Sequence, residues 1–329
     1  MSLDRLLLHI DGVAKNPSSA DELITLLAER HEIYHGKSER DVDRIRGYIL
    51  SKFSDISGPD QLSLFIREEL EFGRLPFGVA GAALALRRHS DFMPELIEPL
   101  RSASNRFQVQ DFSFVLETFD YSPMLTDRTS VLAEIEETLS TYSDKPCCAS
   151  TLSLEQQEIA PNTKAVIKYL DDIELEDQNG RVTTFGEARS NLPTFLVFFY
   201  TRCGNPEKCS LTISKLADLS RAVDRAGLSQ HLNLFAISYD GAFDTPPRLG
   251  KFGRDRGLEF TERCCMFRVL SEFETLVGSL DLGVGFGPTT VNRHRLDSLI
   301  LDDEGSLSQE FRRKAWTVDD VLDQLAQLT

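Results

Sequence analysis

The sequence predicts an all-α domain over residues 1–145 and an α/β domain over residues 167–329, joined by a linker at 146–166. Apolar residues recur at helical spacing through the first part, and this spacing is lost in the linker. After the linker, short strand-like apolar runs alternate with amphipathic helical segments, which is the pattern of an α/β domain. The length of 329 residues also suits about two domains.

The composition is typical of an ordinary globular protein, with 41% hydrophobic and 27% charged residues. A net charge of -16 provides no basic surface for nucleic acid and disfavours binding to an anionic membrane. No apolar run approaches the roughly 18 residues of a membrane span. The first residues, MSLDRLLLHIDGVAK, make a poor signal peptide because acidic side chains interrupt them. We therefore expect a cytoplasmic protein with neither nucleic-acid nor membrane partners.

The first domain is predicted to consist of short helices separated by Gly and Pro breaks. These helices are 2–14, 20–34, 39–54, 59–72, 77–89, 92–103 and 128–142. Ser19 and Glu22 have the spacing of a capping box at the start of the second helix. The alanine-rich helix 77–89 and its successor resemble a HEAT-type repeat, so the domain is a helical repeat or a bundle. We expect it to bind an unidentified protein partner or a small-molecule substrate.

An H-E-x-x-H string, His31-Glu32-Ile33-Tyr34-His35, falls on one of these predicted helices. On a helix it would place both imidazoles on one face, as in zinc hydrolases that use the Glu as base. The helix stops at Gly36, however, and neither strands nor a recognisable third ligand accompany it. A polar helix end with chance spacing is the favoured interpretation, and another kind of metal site is the alternative.

The second domain begins with a predicted hairpin around Asn179-Gly180, a dipeptide typical of type I′ turns. Buried strands follow at 195–200 and 232–238. Residues 296–305 are predicted to form a strand and an acidic turn, with FRRK as the expected hairpin partner. Thr317 caps a final amphipathic helix. This order of elements is that of a thioredoxin-like domain.

Six cysteines occur as Cys147-Cys148, Cys203 with Cys209, and Cys264-Cys265. The adjacent pairs are expected to be small buried side chains. Cys203 follows a buried strand and Cys209 lies near the start of a helix, where Arg202, Lys208 and backbone N–H groups would favour thiolates. Two thiolates can form a disulfide or bind a soft ion such as Cu(I). The spacing is C-x5-C rather than C-x-x-C, so two unconnected loop cysteines are the remaining alternative.

Three segments together resemble the SCO (SenC-type) family of thioredoxin-fold copper chaperones and thiol redox proteins. The first is FFYTRC…KCSLTISKLADL, where the family has C-x-x-x-C and this chain has two more residues between the cysteines. The second is AISYDGAFDTPPRLGKFG, with Ser238, Asp240, Asp244, Thr245, Pro246 and Leu249 at the family positions. The third is NRHRLDSLILDDEG, with His294, Asp302 and Gly305. The resemblance covers about residues 170–329.

The resemblance implies a metal site formed by Cys203, Cys209 and His294, with Asp240 near enough to orient the loop or a ligand. The implied metal is copper, and zinc also suits such ligands; nothing indicates a nucleotide cofactor. The favoured function is copper handling or metal-dependent redox chemistry in the cytosol.

Other functions stay open at the level of sequence. One is a thiol–disulfide or peroxide oxidoreductase with Cys203 and Cys209 catalytic and Cys264-Cys265 as relay thiols. Another is a copper-dependent biosynthetic oxidase, and a third is an interaction module without chemistry. Whether the protein is an enzyme stays open, and any enzymatic activity is expected to be that of an oxidoreductase.

Overall fold

The computed structural model describes residues 3–15, 20–56, 58, 60–89, 93–109, 128–143, 170–313 and 315–328. The chain divides into two compact units. The first, the helical unit, comprises residues 1–155 and the segment Gly285–Arg293; the second, the sheet unit, comprises residues 156–284 and 294–329. Among the described residues, none of the helices combines the length and apolar character needed to cross a membrane. The predicted linker, residues 146–166 with Cys147 and Cys148, lies entirely outside the described residues.

The described part of the helical unit contains seven α-helices. They are α1 (Leu3–Ala14), α2 (Ala20–Leu26), α3 (Glu39–Lys52), α4 (Leu62–Phe72), α5 (Pro76–His89), α6 (Ile97–Val109) and α7 (Arg128–Ser143). Helical periodicity predicted five of these to within three residues at each end. The HEAT-type interpretation of the unit stays a prediction.

Two predicted helices differ from the structure. The one expected at 20–34 ends at Leu26, and Glu32–Tyr34 is a separate turn of 3₁₀-helix. The one expected at 92–103 begins with a 3₁₀ turn at Pro94–Leu96 and continues as α6 to Val109. The proposed capping residue Ser19 lies outside the described residues.

Helix α5 packs against α3, α4 and α7. Its Ala80, Ala82, Ala83 and Ala85 are fully buried. Gly81 contacts the backbone of α3 so closely that a Cβ there would collide with the carbonyl oxygen of Gly47. Small side chains therefore set the distance between these two helices.

The segment Gly285–Arg293 is bound into the helical unit by backbone and side-chain contacts. The Asn292 side chain donates hydrogen bonds to the carbonyl oxygens of Tyr34 (3.0 Å) and Lys37 (2.9 Å). The Gly36 N–H donates to the Phe286 carbonyl (3.0 Å). Residues distant in sequence thus form one structural unit, which no local pattern predicted.

The sheet unit contains a seven-stranded sheet in the order β2-β1-β5-β4-β3-β8-β9. Its strands are β1 (Glu174–Asp177), β2 (Val182–Thr184), β3 (Thr194–Phe199), β4 (Asn233–Ser238), β5 (Cys264–Val269), β8 (Asp297–Leu301) and β9 (Leu307–Arg312). Strands β3, β4 and β5 are parallel and the outer pairings are antiparallel. The short strands β6 (Val284–Phe286) and β7 (Val291–His294) form a separate pair.

In the described part of the sheet unit, five α-helices accompany the sheet: α8 (Phe185–Arg189), α9 (Leu211–Arg225), α10 (Pro246–Arg254), α11 (Phe273–Ser279) and α12 (Val318–Ala326). The predicted Thr317 cap of the last helix is present as a capping box with Asp320. This mixed sheet with its flanking helices is the predicted thioredoxin-like domain.

The predicted type I′ turn of the β1–β2 hairpin is wrong. Such a turn needs positive φ at both central residues, but only Gly180 has one (φ 83°). The Asp177 carboxylate instead accepts hydrogen bonds from the N–H groups of Asn179 (2.7 Å) and Arg181 (3.0 Å). The aspartate before the dipeptide therefore determines the turn.

Candidate metal centre

The loop that carries Cys203 leaves the sheet at the carboxyl end of β3. Every residue of β3 is buried, as expected for a central strand of a parallel sheet. Two residues beyond the strand, Thr201 is held by the fully buried Asp244, which accepts a hydrogen bond from its N–H (3.0 Å) and another from its hydroxyl. Asp244 also accepts a hydrogen bond from Ser238 at the end of β4 (2.5 Å). One carboxylate therefore ties the ends of two neighbouring strands beneath the Cys203 loop.

Cys209 lies in an irregular turn that leads directly into α9. The turn, Pro206–Ser210, has π-helical hydrogen bonding and contains a non-helical residue at Lys208. Asn205 precedes it and accepts a hydrogen bond from the Glu207 N–H (3.0 Å). Cys209 is 1% exposed, whereas Cys203 is only partly buried. Three of the five residues between the two cysteines therefore lie in this turn.

His294 ends β7 and is buried. Its Nδ1 lies 3.1 Å from the carbonyl oxygen of Arg295. A carbonyl oxygen can only accept a hydrogen bond, so Nδ1 carries the proton, and in the neutral ring Nε2 presents a lone pair. This is the arrangement that orients histidine ligands in metalloproteins.

The lone pair of His294 faces both cysteine sulfurs. Nε2 lies 3.6 Å from the Sγ of Cys203 and 3.5 Å from the Sγ of Cys209. The three ligand atoms all lie within 4.8 Å of one another. In the described part of the chain, no other set of three His, Cys, Asp or Glu side chains brings its ligand atoms this close together. In a tetrahedral zinc site, with Zn–S and Zn–N bonds of about 2.3 and 2.05 Å, neighbouring S and N ligands are separated by roughly 3.6 Å. The observed separations therefore fit a single ion.

The two thiols have opposite protonation tendencies. The pKa of Cys203 is lowered, first because the Cys209 thiol donates a hydrogen bond to its sulfur; an imidazolium form of His294 would add a second hydrogen bond, from Nε2–H, and a positive charge. The pKa of Cys209 is raised, first by burial and then by the neighbouring Cys203 sulfur. Without metal the pair therefore shares one proton, with Cys203 as the thiolate and Cys209 as the thiol.

Asp240 does not join the ligand atoms but contacts the loop that bears one of them. Its carboxylate binds the guanidinium of Arg202 (2.5 Å), the residue directly before Cys203. Its own N–H donates to the Ser238 hydroxyl (3.0 Å). Asp240 thus contacts the loop that carries Cys203, and its role in orienting that loop or a ligand stays a prediction.

Sequence reasoning missed the structural role of Lys208. It was counted only as a charge near the cysteines, yet its Nζ donates to the carbonyl oxygen of His294 (3.0 Å) and its side chain is buried. Aromatic rings also surround the histidine: Tyr200 meets it edge-on with centroids 5.5 Å apart, and Tyr239 lies at 5.8 Å. The signal available in the sequence was a lysine that directly precedes Cys209.

The adjacent pair Cys264-Cys265 is placed poorly for a relay to this centre. It lies at the start of β5, level with the start of β4. The candidate centre follows the opposite end of β3, about 13 Å further along the strand direction. Burial raises the pKa of Cys264 to about 12 and that of Cys265 to about 11. The raised pKa values disfavour the thiolate form that a relay would need.

The H-E-x-x-H string also lacks the geometry of a zinc site. His31 precedes a single 3₁₀ turn, and its Nδ1 accepts a hydrogen bond from the Ile33 N–H (3.3 Å). His35 follows the same turn, so the two imidazoles are not one helical turn apart. The favoured interpretation, chance spacing, agrees with this geometry.

The fold and the site define the sheet unit as a thioredoxin-like domain with a Cys₂His cluster at the carboxyl ends of its parallel strands. Residues 163–263 match a family model described as SCO1/SenC, which confirms the resemblance over that range. The match includes Cys203, Cys209, Asp240 and Asp244 but ends before His294. A search of curated proteins finds none that matches the sequence.

Solved structures with a similar fold include a SCO1/SenC family lipoprotein from Bacillus anthracis, 16% identical, with a TM-score of 0.42 over 48% of this chain and 94% of that one. Copper-bound ScoI from Bradyrhizobium japonicum is 20% identical, with a TM-score of 0.38 over 48% and 97%. The bacterioferritin comigratory protein of Xanthomonas campestris, studied for alkyl peroxide reduction, is 18% identical, with a TM-score of 0.35 over 49% and 94%.

Proposed function

We propose that the protein binds copper as Cu(I) through Cys203, Cys209 and His294, and acts in copper handling or copper-dependent redox chemistry. The observation that carries the proposal is the lone pair of His294 Nε2, which faces two cysteine sulfurs at 3.5 and 3.6 Å. Copper bound there would supply one-electron chemistry or be a cargo ion for transfer.

The ligand set favours Cu(I) over zinc. Thiolates are soft ligands that select Cu(I), and three ligands suffice for a trigonal Cu(I) centre. Structural zinc is almost always held by four protein ligands, and a catalytic zinc adds water to three. Among the described residues the cluster offers three ligands, and burial of Cys209 and His294 limits the access of water. Zinc binds the same types of ligand, so the binding experiment must include it as a competing metal.

Anaerobic titration of the full chain with Cu(I), against a chromophoric Cu(I) chelator, tests the proposal. We expect about one ion per chain, lost or weakened at least about tenfold in Cys203→Ser, Cys209→Ser and His294→Ala variants. Cys264→Ala is the matched control, because it removes a buried thiol of the same unit away from the cluster. Unchanged binding in all three site variants would refute the proposal.

A second candidate function, thiol–disulfide exchange, uses the same sulfurs. It is favoured by the lowered pKa of Cys203 beside the protonated Cys209. The Cys203 thiolate would attack glutathione disulfide, forming a mixed disulfide and releasing one glutathione thiolate. Deprotonated Cys209 would then attack Cys203 and release the second. Mass spectrometry after this oxidation should show a Cys203–Cys209 bond that thioredoxin reduces; thiols left free would exclude the activity.

The cytoplasmic location and a partner or substrate bound by the helical unit remain predictions from the sequence. Cell fractionation tests the first. For the second, crosslinking of the full chain in cells, with and without added copper, would identify a bound protein.

A further inference from the structure

A buried cation lies within the loop that joins the two metal-binding cysteines. The Lys208 side chain is 6% exposed, and the residue directly precedes Cys209. Its Nζ donates a hydrogen bond to the carbonyl oxygen of His294 (3.0 Å). The ammonium group is thus fixed between the turn that carries one ligand and the strand end that carries another.

The formal charge of the cluster depends on the ion that it holds. Two thiolates and a neutral imidazole contribute two negative charges. Cu(I) leaves the ligand set with one negative charge, whereas Zn(II) or Cu(II) leaves it neutral. In a poorly solvated site, a charge left without a partner of opposite sign is unfavourable. The Lys208 ammonium therefore attracts the negative charge of the Cu(I) complex, whereas it gains no such attraction from the neutral complex of a divalent ion.

We propose that Lys208 determines the metal selectivity of this site, favouring Cu(I) over divalent ions through its positive charge. The inference rests on the proposed function, since it needs the same three ligands. It goes further because it assigns selectivity to a residue that is not itself a ligand. The hydrogen bond to His294 is a separate, positioning contribution that would act on every metal alike.

Two substitutions separate charge from position. Lys208→Gln removes the charge but keeps an N–H donor for the His294 carbonyl, and Lys208→Arg keeps both. Lys215→Met is a matched control, because the Lys215 Nζ also donates to a backbone carbonyl in the sheet unit, that of Trp316 (2.9 Å). Lys208→Met serves as a second neutral variant. Circular dichroism of each variant establishes that it is folded.

The experiment measures Cu(I) and Zn(II) affinities of the full chain, each by competition with a chelator of known affinity, at neutral pH without oxygen. We expect the ratio of Cu(I) to Zn(II) affinity to fall by roughly tenfold to a hundredfold in Lys208→Gln. The ratio should be unchanged in Lys208→Arg and Lys215→Met.

Equal weakening of both metals in Lys208→Gln would overturn the selectivity role and leave Lys208 as a positioning residue only. An unchanged ratio in both neutral variants would overturn it as well. The failure of the proposed function has a different signature, because the wild-type protein would then bind Cu(I) no better than the variants that lack the ligands.

Discussion

Glu69, which is buried in the helical unit, binds Arg293 at 2.8 Å, and Arg293 directly precedes His294 in the chain. The same carboxylate binds the fully buried Arg46 at 2.8 Å. Glu68 adds a longer contact to Arg293 at 3.6 Å. The residue before the candidate metal ligand is therefore part of a buried ion network within the helical unit.

Removing one member of this network should destabilise the helical unit. Arg293→Met leaves the buried Glu68 and Glu69 with less compensating charge, and broken buried pairs typically cost about 3–5 kcal/mol. We expect a loss in this range by urea denaturation, measured by circular dichroism. Arg101→Met is the control, because Arg101 and its partner Glu98 are exposed. An Arg293 variant as stable as the control would contradict the account.

The contact between α3 and α5 predicts that Gly81 tolerates no larger side chain. In Gly81→Ala the new methyl group would collide with the Gly47 carbonyl, so the helices must separate, at a cost of about 1–3 kcal/mol. Gly12→Ala is the matched control on α1, where a Cβ meets no atom within 4 Å. The control should be neutral or stabilising by up to about 1 kcal/mol. Thermal unfolding of both variants tests the difference, and equal effects would refute the close contact.

Asp43 predicts a pH dependence of stability. Its carboxylate accepts hydrogen bonds from the N–H groups of Phe77 (3.0 Å) and Gly78 (2.9 Å), yet burial and the nearby Glu69 raise its pKa to about 7. Between pH 4 and 7 the native state keeps a proton that the unfolded chain loses, so this group's contribution to stability is lost as pH rises.

The pKa of Glu69 is lowered, which has the opposite effect on stability, so the test compares variants. The free energy of unfolding of wild type minus that of Asp43→Asn, from denaturation at pH 4 and pH 7, should fall as pH rises. A difference that grows with pH would show that Asp43 is ionised in the folded protein at pH 4.

Metal uptake should release a proton. The raised pKa of Cys209 keeps its thiol protonated at neutral pH, and a thiol must lose its proton to bind a metal. We expect about one proton per Cu(I) from Cys209, measured by calorimetry in buffers of different ionisation enthalpy. Cys209→Ser should abolish this release. Release of no proton by wild type would mean that both sulfurs are already ionised in the metal-free protein.

Much of the fold follows from local patterns in the sequence. The helices α3 and α5 and the strand β3 have strong apolar periodicity or continuous apolar runs, so their positions are set by short-range information. The cysteines and His294 were found because their segments resemble a known family. The hairpin turn was mispredicted because the Asp177 carboxylate, rather than the Asn-Gly dipeptide, satisfies its N–H groups.

Other features depend on contacts between distant residues and have no local signal. The inclusion of Gly285–Arg293 in the helical unit rests on contacts with residues more than 200 positions earlier, such as Asn292 with Tyr34. The hydrogen bond from Lys208 to His294 likewise needs the folded sheet unit. Burial of charged residues is only visible once such contacts are known.

X-ray absorption at the copper K-edge of the Cu(I)-loaded full chain tests the central claim most directly. The account predicts a three-coordinate Cu(I) centre with two sulfur ligands and one nitrogen ligand, and loss of the nitrogen in His294→Ala. A centre with no sulfur ligand, or a spectrum that is identical in His294→Ala, would contradict it.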